Sequence, residues 1–221
     1  MINNNEQEQN KLTQDNAQTS ENNINTSNVR RKRKIHRIAL YGIVFALIFV
    51  ARLLDRVISL AWPINLAVCT IAVSFVFILL SRNIWEALLM GTLFGVASLI
   101  AAVIFPSPEF MLPWVSVLPR MIVGIAVFGA YKLFFRILKK AKINNRRFFS
   151  AFIAAGVGVI VNTATVMFML SLNRGEMQSY FQVVGAIMLS NFLPEFISAM
   201  LIVPFLTIGV SRGAKISIAG E

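Results

Sequence analysis

Apolar residues run in six long blocks, and the polar positions gather between the blocks instead of alternating with them. The blocks fall near Ile38–Leu54, Ile64–Leu80, Ile84–Phe105, Ser116–Leu138, Phe148–Leu172 and Val183–Val210. At about 1.5 Å of rise per residue, each approaches the roughly 30 Å of a bilayer core, so the pattern predicts six transmembrane helices. The last block is long and holds Pro194 and Pro204, which predict a kink or a partly re-entrant end. Ahead of the first block, Met1 to about Val29 is Asn, Gln, Glu, Ser and Thr with almost no large apolar side chain. Such a stretch cannot offset its ordering entropy, and residues 1–29 read as a disordered polar tail. It does not read as a secretory signal, whose basic and apolar parts stand at its very start. The helical domain is expected over 30–212, with a short tail at 213–221.

The basic residues give the helices a direction. Arg30, Arg31, Lys32, Arg33, Lys34 and Arg37 precede the first block, Arg82 lies in the second connection, and Arg136, Lys139, Lys140, Lys142, Arg146 and Arg147 fill the fourth. Arg212 and Lys215 follow the last. All fall on one side of a six-helix path, and Lys and Arg are retained on the cytoplasmic side, so both termini are expected in the cytoplasm. The opposite connections hold only Arg52, Arg56 and Arg174 near their ends, accompanied by Asp55, Glu109 and Glu176.

Composition narrows the class. Of 221 residues 57% are hydrophobic and 14% charged, with a mean hydropathy of +0.69, which excludes one soluble enzyme domain. The formal charge of +11 sits in blocks between apolar runs, which suits a membrane surface and not nucleic acid. A single Cys69 and a single His36 exclude a disulfide framework, a Cys/His zinc site and a thiol–imidazole pair. The chain has no nucleophile elbow, zinc-protease helix or phosphate loop, so it is expected to be neither an enzyme nor a cofactor carrier.

What remains is polar chemistry inside the bilayer, where each unpaired group costs several kcal/mol. Depth counting places Arg120, Asn162 with Thr163 and Thr165, Asn191 and Glu195 in one layer opening outward. Arg52, Trp62, Asn65 and Trp114 complete a candidate substrate-binding set at that rim. Trp62, Trp114 and Tyr180 act either as interfacial anchors or as stacking surfaces, with Trp85 alone at the inner edge. Arg120 either holds a ligand or pairs with Glu195 as a structural bridge; Pro119 should start a helix there. Ala39, Gly42 and Ala46 line the first block with small side chains, as do Gly91, Gly95, Ala97 and Ser98 in the third and Gly124, Gly129 and Ala130 in the fourth, so other helices can approach closely.

The run Gly91-Thr-Leu-Phe-Gly95-Val-Ala-Ser98, the Pro106/Pro108 loop, and Ser116-Val-Leu-Pro119-Arg120 with Gly124 and Gly129 resemble the substrate-binding S components of energy-coupling factor vitamin transporters. The likeness covers about Arg33 to Arg212. It implies a bundle of six helices in a bacterial plasma membrane, with an outward vitamin site, a shared transmembrane scaffold subunit and two ATPase subunits as partners. The family's small-residue docking stripe maps onto Gly42 and Ala46, where an all-Ala version is not kept. Within that family, an Arg-rich rim with Asn side chains suits a small carboxylate with hydroxyl or amide groups, pantothenate first, with folate and riboflavin as further candidates. The other class that fits is a self-contained secondary transporter of a small organic anion, for which Glu195 beside Pro194 is the strongest feature; its expected internal repeat has no counterpart in the first three blocks.

Overall fold

A computed structural model describes residues 38–59, 67–105, 110–174, 177–214 and 218–219; at 173–174, 177–191 and 214 it describes the backbone only. The chain divides into two compact units, Met1–Val44 and Phe45–Glu221. Trp62, Asn65, the Pro106/Pro108 loop and the expected tail at 1–29 lie outside the described residues, as does the side chain of Asn191.

Every apolar block becomes a helix. α1 spans Ile38–Ser59, α2 Val68–Leu79, α3 Ile84–Ile104, α4 Pro113–Ser116, α5 Leu118–Lys140, α6 Arg146–Arg174 and α7 Met177–Ala214. Among the described residues, α1, α3, the α4–α5 stretch Pro113–Lys140, α6 and α7 are long and apolar enough to cross a membrane. Their outward surfaces agree, with Ile43, Leu133, Phe168, Leu201 and Phe205 all more than half or nearly half exposed among other large apolar side chains. The chain is therefore an all-α, multi-pass membrane protein.

The second block departs from a full span. α2 has 12 residues, about 18 Å at 1.5 Å per residue, against a core of roughly 30 Å. Its first amides are taken by side chains of other helices. In the last block α7 runs for 38 residues with Pro194 and Pro204 inside it. Ser198 Oγ donates to the Pro194 carbonyl at 2.6 Å and so ties the turn that follows the first proline.

Glycine lets α3 and α5 approach closely. A Cβ on Gly124 would stand 2.5 Å from the Ala87 carbonyl oxygen and 3.3 Å from Gly91 Cα, and one on Gly95 would stand 2.7 Å from Val117 Cα. α3 and α5 therefore touch backbone to backbone, as the spacing of small residues predicts. Gly129 does not join them: it is exposed, with nothing within 4 Å of its Cβ position. Deeper in the bundle Gly158 of α6 leaves room for Val127 and Phe75, which are fully buried.

The opposite end of α2 is closed by the end of the chain. Within the 213–221 stretch read as a tail, Ile218 and Ala219 are each 2% exposed, and Ala219 N–H donates to the Leu79 carbonyl at 2.7 Å.

Candidate functional site

A helix that starts inside a membrane protein exposes amides with no intrahelical acceptor and no water to take their place. α2 begins at Ala67, whose side chain cannot cap anything. Two carboxylates from other helices do it. Asp55 of α1, 2% exposed, accepts from Cys69 N–H at 3.0 Å through Oδ1, and through Oδ2 from Thr70 N–H at 2.8 Å and the Thr70 hydroxyl at 2.5 Å. Glu195 of α7 accepts from Ala67 N–H at 2.9 Å through Oε1. Negative charge at a helix N-terminus is also favoured by the helix dipole, so this clamp joins α1, α2 and α7 by charge-assisted bonds.

Two buried guanidinium groups, those of Arg52 and Arg120, lie in the field of these carboxylates. Arg52 and Arg56 follow one face of α1 with Asp55 between them, and Arg52 lies within electrostatic reach of Arg56, Asp55 and Glu195. Arg120 reaches the same field from α5, interacting with Arg52 and Glu195. Arg52 and Arg120 are 7% and 5% exposed, so neither snorkels to water.

The local sequence explains how Arg120 is held. Pro119 stands in the first turn of α5, where its missing N–H costs least. That same absence leaves the carbonyl four residues earlier, on Val115, without its helical donor. Arg120 Nη1 fills the gap at 2.9 Å. The guanidinium is flanked by the Phe94 and Phe110 rings, each with its centroid 5.8 Å away, a cation–π arrangement. Ser116 Oγ donates to the Phe110 carbonyl and fixes that ring's backbone. The Gly91–Gly124 crossing brings α3, and with it Phe94, alongside. Ser116-Val-Leu-Pro119-Arg120 is thus one folded unit that aims a buried cation at the α2 clamp.

The bonds of this cluster do not close. Arg52 Nε, Arg120 Nε and Asn162 Oδ1 are buried with no hydrogen-bond partner among the described residues. Arg120 and Glu195 feel each other's charge, yet the bonds each makes among the described residues go to the Val115 carbonyl and the Ala67 amide. The Thr165 hydroxyl bonds its own helix, donating to the Val161 carbonyl at 2.6 Å. Trp114 is half exposed on α4. Of the expected set, then, Arg52, Arg120 and Glu195 come together, whereas for Asn162 of α6 the structure shows only a buried Oδ1 with no partner among the described residues. Ala39, Gly42 and Ala46 are all exposed on α1, and a Cβ at Gly42 meets nothing within 4 Å.

Sequence reading missed Asp55 as a member of the site, assigning it to the outer edge. The available signal was a carboxylate at the end of an apolar helix with Arg three residues before and one after it, since an intramembrane acid without a partner is rare. Compared with known proteins, the chain matches no family model and no curated protein.

Proposed function

We propose that this protein captures a small carboxylate-bearing solute in the membrane, as the substrate-binding subunit of an ATP-driven importer. One observation supports the reading: both carboxylates near the buried Arg52 and Arg120 are already held by the amides of α2, while each guanidinium keeps an Nε with no hydrogen-bond partner among the described residues. A buried cation with unused donors is costly, and a ligand carboxylate answers both the charge and the geometry of a guanidinium. Asn162 Oδ1 supplies an acceptor for a hydroxyl or amide on the same molecule. A small water-soluble vitamin of the pantothenate kind has these groups, and folate and riboflavin are the next to try. Binding then involves Arg52, Arg120 and Asn162 directly, with Trp62, Asn65, Trp114 and Asn191 as further rim candidates and Glu195 positioning α2.

The exposed stripe of Ala39, Gly42 and Ala46 supports a second part of the reading, in which a transmembrane scaffold subunit packs against α1 and two ATPase subunits supply the energy. The membrane is then the bacterial plasma membrane, with both termini in the cytoplasm beside the basic connections. The second of six crossings is then made by α2 together with residues that lie outside the described ones. Reconstitution of the chain alone in proteoliposomes tests the proposal: it should bind solute without accumulating it, with uptake appearing only when scaffold and ATPases are added. Uptake by the lone chain under an ion gradient would replace the proposal with a secondary carrier built around Glu195 and Pro194.

A further inference from the structure

At the end of the bundle away from the Arg52–Arg120 cluster, the α5–α6 turn and the last turns of α7 enclose a cavity of about 550 Å³. Its lining includes Lys139, Lys142, Arg146, Arg147 and Arg212 and no acidic residue. It also includes the first turn of α6, Arg146 to Phe148, whose amides precede the first intrahelical bond, Phe149 N–H to the Asn145 carbonyl at 3.2 Å. Five cations and a helix N-terminus border one space, an arrangement whose charge favours an anion.

The backbone has accepted strain to build it. Lys142 has φ 53°, and the bonds Lys142 N–H to Lys139 O and Ile143 N–H to Leu138 O, both 3.3 Å, close α5 in a Schellman turn. Glycine or asparagine is the ordinary residue at such a left-handed position. Here a lysine occupies it and lines the cavity.

One wall of the cavity continues into an apolar flank. Phe148, which lines it, makes an edge contact with Phe205 at 5.1 Å, and Phe205 is 66% exposed, one turn from the exposed Leu201. A soluble anion would gain nothing from that flank, whereas a phospholipid would set acyl chains against it. We propose that the cavity binds the phosphodiester headgroup of an anionic phospholipid, whose chains run along α7 past Phe205.

The test uses the purified full chain exchanged into detergent with an equal mixture of phosphatidylglycerol and phosphatidylcholine, read by native mass spectrometry. Phosphatidylglycerol should be retained in preference, at one molecule per chain. Each basic group near an anionic headgroup contributes about fivefold, so Lys139→Gln with Arg212→Gln should weaken retention roughly 25-fold. Lys142→Gly offers a second readout with opposite signs: it should raise the unfolding temperature by relieving the left-handed lysine and lower retention. Equal retention of the two lipids by the wild type would overturn the proposal, as would unchanged retention in a folded double variant. Displacement of the lipid by inorganic phosphate at millimolar concentration would also overturn it, because the site would then recognise free phosphate.

Discussion

Replacing Asp55 with Asn keeps the shape of the side chain and removes its charge, which isolates the clamp on α2. The carboxylate accepts from Cys69 N–H, Thr70 N–H and the Thr70 hydroxyl at 3.0, 2.8 and 2.5 Å. An amide can keep one oxygen toward these donors, but its NH2 must face the other, so at least one buried N–H loses its acceptor. Bonds to a charged group contribute about 1.5–3 kcal/mol each, and breaking a buried charged arrangement costs about 3–5 kcal/mol, so Asp55→Asn should destabilise by that larger range. Thr70→Val removes only the hydroxyl bond and should cost about 1 kcal/mol. Hydrogen exchange read by mass spectrometry is the sharpest assay, because two of the affected donors are exchangeable backbone amides. A loss of 3–5 kcal/mol, at about 1.4 kcal/mol per decade, should speed exchange of Cys69 and Thr70 by about two to four orders of magnitude, with little change in the middle of α5 or α6. Exchange within a few-fold of wild type at those amides would refute the clamp, and with it the argument that both carboxylates are engaged by α2.

The glycines separate by the same logic: Gly124→Ala should cost more than about 2 kcal/mol by forcing α3 from α5, since its Cβ meets backbone at 2.5 Å. Gly129→Ala, in open space, should be neutral or stabilise by up to about 1 kcal/mol, and equal effects of the two in thermal unfolding would contradict the crossing. On α1, Gly42→Trp or Ala46→Leu should leave solute binding intact and abolish uptake by the reconstituted complex; full uptake by both variants would make that stripe an ordinary lipid-facing surface.

The long-wavelength features of this fold are legible in the sequence because they depend on local terms. The apolar blocks mark the helices to within a few residues, Pro119 marks the start of α5, and the spacing of Gly91, Gly95 and Gly124 marks a close crossing. Gly129 was grouped with them wrongly for a simple geometric reason: five residues turn a helix by about 140° beyond a full circle, so Gly124 and Gly129 cannot share a face. The start of α2 could not be read off, since the carboxylates that take its first amides come from α1 and α7. Nor could the role of Asp55, whose partners stand 14 and 15 residues away, or that of Glu195, whose partner stands 128 residues away. The lysines and arginines of the fourth connection read as a topology signal; that Lys139, Lys142, Arg146 and Arg147 line a cavity together with Ile218 depends on the segment at Ile218 and Ala219 returning to Leu79. Arg120 shows the two scales together, for its neighbour Pro119 is plain in the sequence, but the Val115 carbonyl that Pro119 leaves open becomes apparent only in the folded turn.

The most direct measurement of the central claim is mass spectrometry of small molecules released from the purified wild-type protein and from its Arg120→Ala and Arg120→Lys variants. The wild type should release one carboxylate-bearing solute in stoichiometric amount. Removing a charge-assisted bond of about 1.5–3 kcal/mol should weaken retention about ten- to a hundredfold in Arg120→Ala, and Arg120→Lys should recover part of it while still able to donate to the Val115 carbonyl. If the wild type releases no such molecule, or if all three proteins release the same amount, then Arg120 serves the fold alone and the capture of a small anion is wrong.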